Sequence, residues 1–143
     1  AKLGVTLPGA PTPAANYLPY VISGKQLLIA GQAAVVDGRH KFVGRFGAEF
    51  NVADGKAAAW LAAIKVLAQV KAACYGEGSR GVCVYAAISR RPDVADHPQV
   101  LDGASDFLVA VLGDAGKHVR SVLGASSLRD HTAVVIDAVF ELK

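Results

Sequence analysis

From Ala133 to Leu142 the chain reads AVVIDAVFEL, apolar at nearly every position. Strand side chains alternate between two faces, so Val134, Ile136, Ala138, Phe140 and Leu142 line one face while Val135 and Val139 make the other apolar too. A strand of that kind has to be covered from both sides. A single carboxylate, Asp137, interrupts it. Just upstream, Val119 to Leu128 places Arg120 at the head of a second apolar strand. A guanidinium stays charged and presents a planar fork of donors, so in a half-buried strand it needs an anionic partner, either Asp137 or a ligand carboxylate. A structural ion pair, or a strand end wetted by solvent, is the plainer alternative.

The rest of the chain supplies what such a strand packs against. Residues 1 to 16 carry prolines at 8, 11 and 13 and form an irregular leader, followed by Asn16-Tyr17, whose aromatic ring suits either a core or a site. Val21-Ile22 and Gly24-Lys25 read as a short strand and turn, and Gln26 to Val36 as a long strand broken at Gly31-Gln32. A glycine inside a strand marks a bulge or a close approach to the backbone, which makes Gly31 a site candidate. Asp37-Gly38 is a turn signal, with Lys41 to Val43 resuming as an edge strand. Asn51 and Asp54 stand in capping-box positions for a helix with Trp60, Leu61, Ile64, Leu67 and Ala68 on its apolar face, running to about Cys74 and stopped by Gly76-Glu77-Gly78. Val82 to Ile88 is apolar on both faces and reads as a central strand ended by Arg90-Arg91-Pro92-Asp93. Gln99 to Leu112 reads as a second amphipathic helix stopped by Gly113 and Gly116. Strands, helix, strand, helix, strands describe one α+β domain over residues 1–143, both helices on one sheet face. No element is left for the other face. An oligomer whose sheets pack together, with Arg120 and Asp137 near the seams, is the expectation.

Composition narrows the function classes. At 143 residues the chain can build its own core, and no run of about 18 uncharged apolar residues exists to span a bilayer. The N-terminus lacks a basic-then-apolar signal pattern, so a cytoplasmic protein is expected. A net charge of +3 with scattered Lys and Arg does not suggest nucleic-acid binding. Cys74 and Cys83 have no metal-ligand spacing, and His40, His97, His118 and His131 share no helical face, so no metal is expected. Each histidine reads as a surface loop residue, Ser126-Ser127 as a strand end and turn, and Gly78-Ser79-Arg80-Gly81 as a turn rather than a phosphate loop. Asp93, Asp96 and Asp102 belong in or beside a loop in solvated or capping roles, with Asp102 alternatively turned towards a cleft.

Four stretches carry a resemblance: Ala14-Ala15-Asn16-Tyr17, Leu28-Ile29-Ala30-Gly31-Gln32, Arg120-Ser121-Val122 and Val135-Ile136-Asp137-Ala138-Val139. Together they resemble the Rid family, YjgF-like proteins with the older label endoribonuclease L-PSP, over nearly the whole chain. The resemblance implies a chorismate-mutase-like fold, a homotrimer with ligand clefts between subunits, and a cofactor-independent deaminase. That enzyme hydrolyses a small 2-imino or 2-enamino acid to the 2-keto acid and ammonia. By the same resemblance Arg120 grips the substrate carboxylate in two-pronged fashion, the Gly31 backbone assists, Tyr17 borders the pocket, and Asp137 places the attacking water. An imine is already activated, so positioning and charge complementarity suffice without metal or cofactor. The chain departs from the family pattern at Ala30 for serine, Val122 for cysteine, Asp137 for glutamate and Asp102 for asparagine. Losing one methylene retracts a carboxylate by roughly 1.5 Å, and about 1 Å of misplacement costs on the order of 100-fold in rate. A trimeric metabolite-binding protein that keeps the carboxylate clamp without efficient chemistry is therefore the alternative.

Overall fold

The computed structural model describes residues 3–74 and 78–143. Its strands are β1 (Tyr20–Ser23), β2 (Gln26–Ala33), β3 (Val35–Val36), β4 (Arg39–His40), β5 (Ser79–Ser89), β6 (Val119–Ala125) and β7 (Val134–Leu142); its α-helices are α1 (Val52–Cys74) and α2 (Asp102–Leu112). Five strands form one sheet in the order β1-β2-β7-β5-β6, and β3 pairs with β4 separately. All pairs in the large sheet are antiparallel except β5 with β6, which the chain joins by crossing over through α2. The strand that ends the chain thus sits at the sheet's centre.

Helix α1 begins where its capping box requires. The Asp54 N–H donates to Asn51 Oδ1 at 2.9 Å and the Asn51 N–H to Asp54 Oδ2 at 3.3 Å, each satisfying a backbone donor that the first turn leaves free. Its alanines, Ala58, Ala59, Ala62 and Ala63, are buried and let the helix lie close to the sheet. Contact with α2 is closer still. A β-carbon on Gly103 would lie against the Lys56 carbonyl oxygen, so the two helices meet backbone to backbone there. By length and composition α1 could cross a membrane, but its buried residues sit in the core shared with the sheet, the usual fate of a central helix. The second helix starts later than its periodicity predicts. His97–Leu101, with Pro98 in the first turn, forms a tight 3₁₀ segment, and α2 proper follows from Asp102 to Leu112. Gly113, at φ 64°, ends it. Gly76 and Glu77, expected to stop α1, lie outside the described residues.

Both helices cover one face of the sheet, where Leu27, Val84, Ile88, Phe107, Ile136 and Phe140 belong to a single buried cluster. Each fully buried side chain of this size contributes about 1.5–3 kcal/mol relative to exposure. The β7 alternation matches the sequence: Val134, Ile136, Ala138 and Phe140 are buried while Val135, Asp137 and Val139 are half-buried on the other side. In β2 the register shifts between Ile29 and Gln32, so the long predicted strand ends at Ala33 and carries a bulge at its glycine. The edge strand expected at Lys41–Val43 lies earlier, at Arg39–His40. Asp37 and Gly38, at φ 51° and 73°, turn the chain in two residues, so pairing with Val35–Val36 resumes at once. Val43 makes only an isolated bridge to Thr132.

Strand β5, expected to be covered on both sides, is covered on one within a single chain: Val84, Ala86 and Ile88 are buried, whereas Val82 and Tyr85 are exposed. The same uncovered side carries Val21, Leu28, Val119 at 68% exposure and Leu123 at 70%. It is a broad apolar sheet face of the kind that marks an interaction surface.

Candidate functional site

Arg120 lies on β6, the sheet's edge strand, and faces the helices. Its partner across the ladder is Val84, itself opposite Ala138, and both are buried on the helix side. There its Nη2 donates to Asp102 Oδ1 at 2.8 Å and its Nη1 to Ser105 Oγ at 3.2 Å. Asp102, in the first turn of α2, also faces Lys56 Nζ at 3.8 Å. Ser105 Oγ lies 3.1 Å from His118 Nε2, and His118 Nδ1 lies 2.6 Å from the Gly116 carbonyl oxygen. That carbonyl can only accept, so Nδ1 carries the proton and Nε2 stands within hydrogen-bond distance of the Ser105 hydroxyl. The result is a chain of donors and acceptors from Asp102 through Arg120, Ser105 and His118 to the Gly116 carbonyl oxygen. Two of the five guanidinium donors are engaged in it, and the Arg120 side chain is 32% exposed.

Of the two anionic partners the sequence offered Arg120, Asp137 or a ligand carboxylate, the first is replaced within the chain by Asp102. Parity is the reason. Asp137 stands opposite Tyr85, and Tyr85 opposite Ser121, one position out of phase with Arg120, which puts the carboxylate on the uncovered face. Burial raises the Asp137 carboxyl above its ordinary range, opposed in part by a backbone hydrogen bond. Tyr85 beside it is raised as well, first by the Cys83 side chain and to a smaller extent by Asp137.

Tyr17 and Gly31 come together in a different place. They share a cavity of about 240 Å³ in which the leader residues Pro11 to Ala14 close over the bulged part of β2, with Lys65 and Gln69 of α1 beneath. Strand β1 pairs with β2 only as far as Ile29; from Gly31 onward no strand among the described residues pairs with this edge, and leader residues line the cavity beside it. A β-carbon on Gly31 would meet Val135 Cγ1 at 2.7 Å, which is why the position is a glycine. Gln69 ties the leader down by donating from Nε2 to the Pro11 carbonyl at 2.8 Å, across 58 residues of sequence. Between β2 and β6 lie β7 and β5, three ladder steps of about 4.8 Å, or roughly 14 Å in all. One chain thus holds the candidate residues in two separate groups, Tyr17 with Gly31 and Arg120 with Asp102, and leaves Asp137 on the open face between them.

Sequence reasoning missed Ser105, His118, Lys65 and Gln69. The pair Lys65 and Gln69 did leave a signal, two polar residues one turn apart in an alanine-rich helix. Ser105 and His118 left none. The tandem arginines are structural: Arg90 Nη1 donates to the carbonyls of Arg91, Pro92 and Val94, and Arg91 makes a two-pronged pair with Asp93.

Comparison with known proteins agrees with this architecture. A family model described as "YjgF/chorismate_mutase-like, putative endoribonuclease" matches residues 1–140. Protein TCP17 of Trypanosoma cruzi is 36% identical over 144 residues, an alignment spanning 99% of this chain and 90% of that one. The crystal structure of Atu1372 from Agrobacterium tumefaciens, a protein of unknown function, is 36% identical and superposes with a TM-score of 0.93 over 99% of this chain and 89% of the other. Escherichia coli TdcF, solved with bound serine, shares the fold at 20% identity and a TM-score of 0.69, covering 94% and 93%. The chain belongs to the YjgF/chorismate-mutase-like family.

Proposed function

We propose that copies of this chain close into a homotrimeric ring in which Arg120 on the β6 edge of one copy faces the Tyr17–Gly31 cavity of the next. The joint site hydrolyses a small 2-imino or 2-enamino carboxylic acid to the 2-keto acid and ammonia. The observation that carries this reading is the separation of the two residue groups towards opposite edges of one sheet whose other face is apolar and uncovered. A head-to-tail contact that closes on itself brings unlike edges of identical chains together. Arg120, with donors still free, receives the substrate carboxylate; the Gly31 backbone and Tyr17 border the other end. Asp137, its carboxyl moved towards neutrality by burial, orients water. Water adds to the C=N carbon, the tetrahedral adduct expels ammonia, and the carbonyl remains. The activated imine calls for no metal or cofactor. A charge of +3 suits a small anion rather than a nucleic acid, and the buried Cys83 thiol fits a cytoplasmic setting.

A second reading, a carboxylate-binding protein without efficient chemistry, is favoured by one feature: Asp102 and Ser105 already occupy part of the Arg120 fork. The bound serine of TdcF is consistent with either reading. Incubation with freshly generated 2-iminopropionate, following pyruvate and ammonia, separates them. Turnover that falls by about 100-fold or more in Arg120→Ala supports the deaminase. Turnover untouched by that change rules out the anchor, and a stable monomer in solution rules out the ring.

A further inference from the structure

The cavity under the leader holds two side chains to which the proposed reaction gives no part. Gln69 is 1% exposed, and its orientation is fixed: Nε2 donates to the Pro11 carbonyl, which can only accept, so the amide cannot be flipped. Its Oε1 is buried and has no donor. Four residues earlier, on the same face of α1, stands the half-buried Lys65, with no carboxylate within 4 Å of its ammonium group among the described residues. The cavity they line is walled elsewhere by Pro13, Pro19 and Val35. A buried carbonyl oxygen without a donor and a cation without an anion, one helical turn apart, specify the complementary groups of a ligand.

We infer that Lys65 and Gln69 set the substrate class of this site: a small 2-imino acid that carries a second anionic group. This rests on the reading above, in which the Tyr17–Gly31 wall belongs to the ligand site and Arg120 takes the first carboxylate. Lys65, which has no carboxylate beside it among the described residues, then takes a second anion, and the nitrogen-bound hydrogen of the imine or enamine goes to Gln69 Oε1. An analogue of that class is a dicarboxylate with one further donor.

Four stable probes isolate each contact in binding measurements by calorimetry on the assembled protein: malate with two carboxylates and a hydroxyl, succinate without the hydroxyl, lactate with one carboxylate and a hydroxyl, and propionate with neither addition. Malate is expected to bind about tenfold more tightly than lactate and more tightly than succinate. Lys65→Met, a change on a half-exposed helix position, erases the margin of malate over lactate. Gln69→Met erases the margin of malate over succinate and leaves the other; its melting temperature reports whether the leader has come loose. Equal binding of malate and lactate by the wild type overturns the inference, as does an unchanged margin in Lys65→Met. If 2-iminopropionate is hydrolysed through Arg120 while these margins are absent, only the assignment of Lys65 and Gln69 has failed. If none of the four acids binds and no imine is turned over, the ligand site itself has been misplaced, and the assignment falls with it.

Discussion

Arg120 and Asp137 stand on opposite faces of the same sheet, one facing the helices and the other the uncovered side. No side-chain rotation within one chain brings them together, so any site using both is shared between copies. Mixing two inactive variants tests this. Arg120→Ala and Tyr17→Ala are each expected to lose turnover, and unfolding and reassembling them together in equal amounts is expected to restore about a quarter of the wild-type activity, the fraction of junctions with both halves intact. No recovery in reassembled oligomers of the right mass would place both residues in one subunit's site.

Asp102 holds part of the Arg120 fork, so under the proposed reading it competes with the substrate carboxylate. The pair is about one-third exposed on each side, so its loss is expected to cost under about 1 kcal/mol of stability. Asp102→Asn keeps the shape, removes the competing charge, and is expected to tighten small carboxylates several-fold by calorimetry. Weaker binding would mean that Asp102 positions the guanidinium more than it occupies it.

Gly31→Ala forces a methyl group against Val135 Cγ1. Overpacking at such a contact is expected to cost about 1–3 kcal/mol in urea denaturation. Val135→Ala removes the obstructing atom, so the double variant is expected to recover most of the loss; additive losses would place the strain elsewhere.

The raised Asp137 carboxyl makes a pH prediction. Its folded-state pKa lies above its unfolded value, so the native chain holds the proton more tightly, and ionisation weakens the fold as pH rises from the ordinary carboxylate range through the folded value. Above the folded value the penalty is complete. Asp137→Asn is therefore expected to melt at a higher temperature than wild type at pH 7, with the margin closing below about pH 3, where the carboxyl is protonated in both states. A lower melting temperature at pH 7 would reveal a partner for the ionised group.

Local chemistry made much of this legible in the sequence. Asn51 and Asp54 announced the start of α1, Asp37-Gly38 the tight turn, Gly31 the bulge, and the alternation in Ala133–Leu142 both the buried face and the open one. What escaped depends on register and on distant segments. The partner of Arg120 follows from which β5 residue it stands beside, and nothing within β6 fixes that parity. The cavity exists because Gln69 holds a segment 58 residues upstream, a contact that no periodicity records. Pro98 shows the limit for helices as well, since the apolar spacing through Gln99–Leu101 is the same whether the turn is 3₁₀ or α.

The extra residue in β2 is also a counting device. Before it, Leu27 and Ile29 point inward at odd positions; after it, Gln32 and Ala34 point inward at even ones. Deleting either Ala30 or Gly31 would remove the bulge and leave Ile29 and Gln32 two positions apart, so both keep facing inward in a regular ladder. Deleting both would make Ile29 and Gln32 neighbours and turn every later side chain of that segment inside out, sending Gln32 to solvent and Ala33 towards the helices. For this fold, removing one residue is the milder injury than removing two.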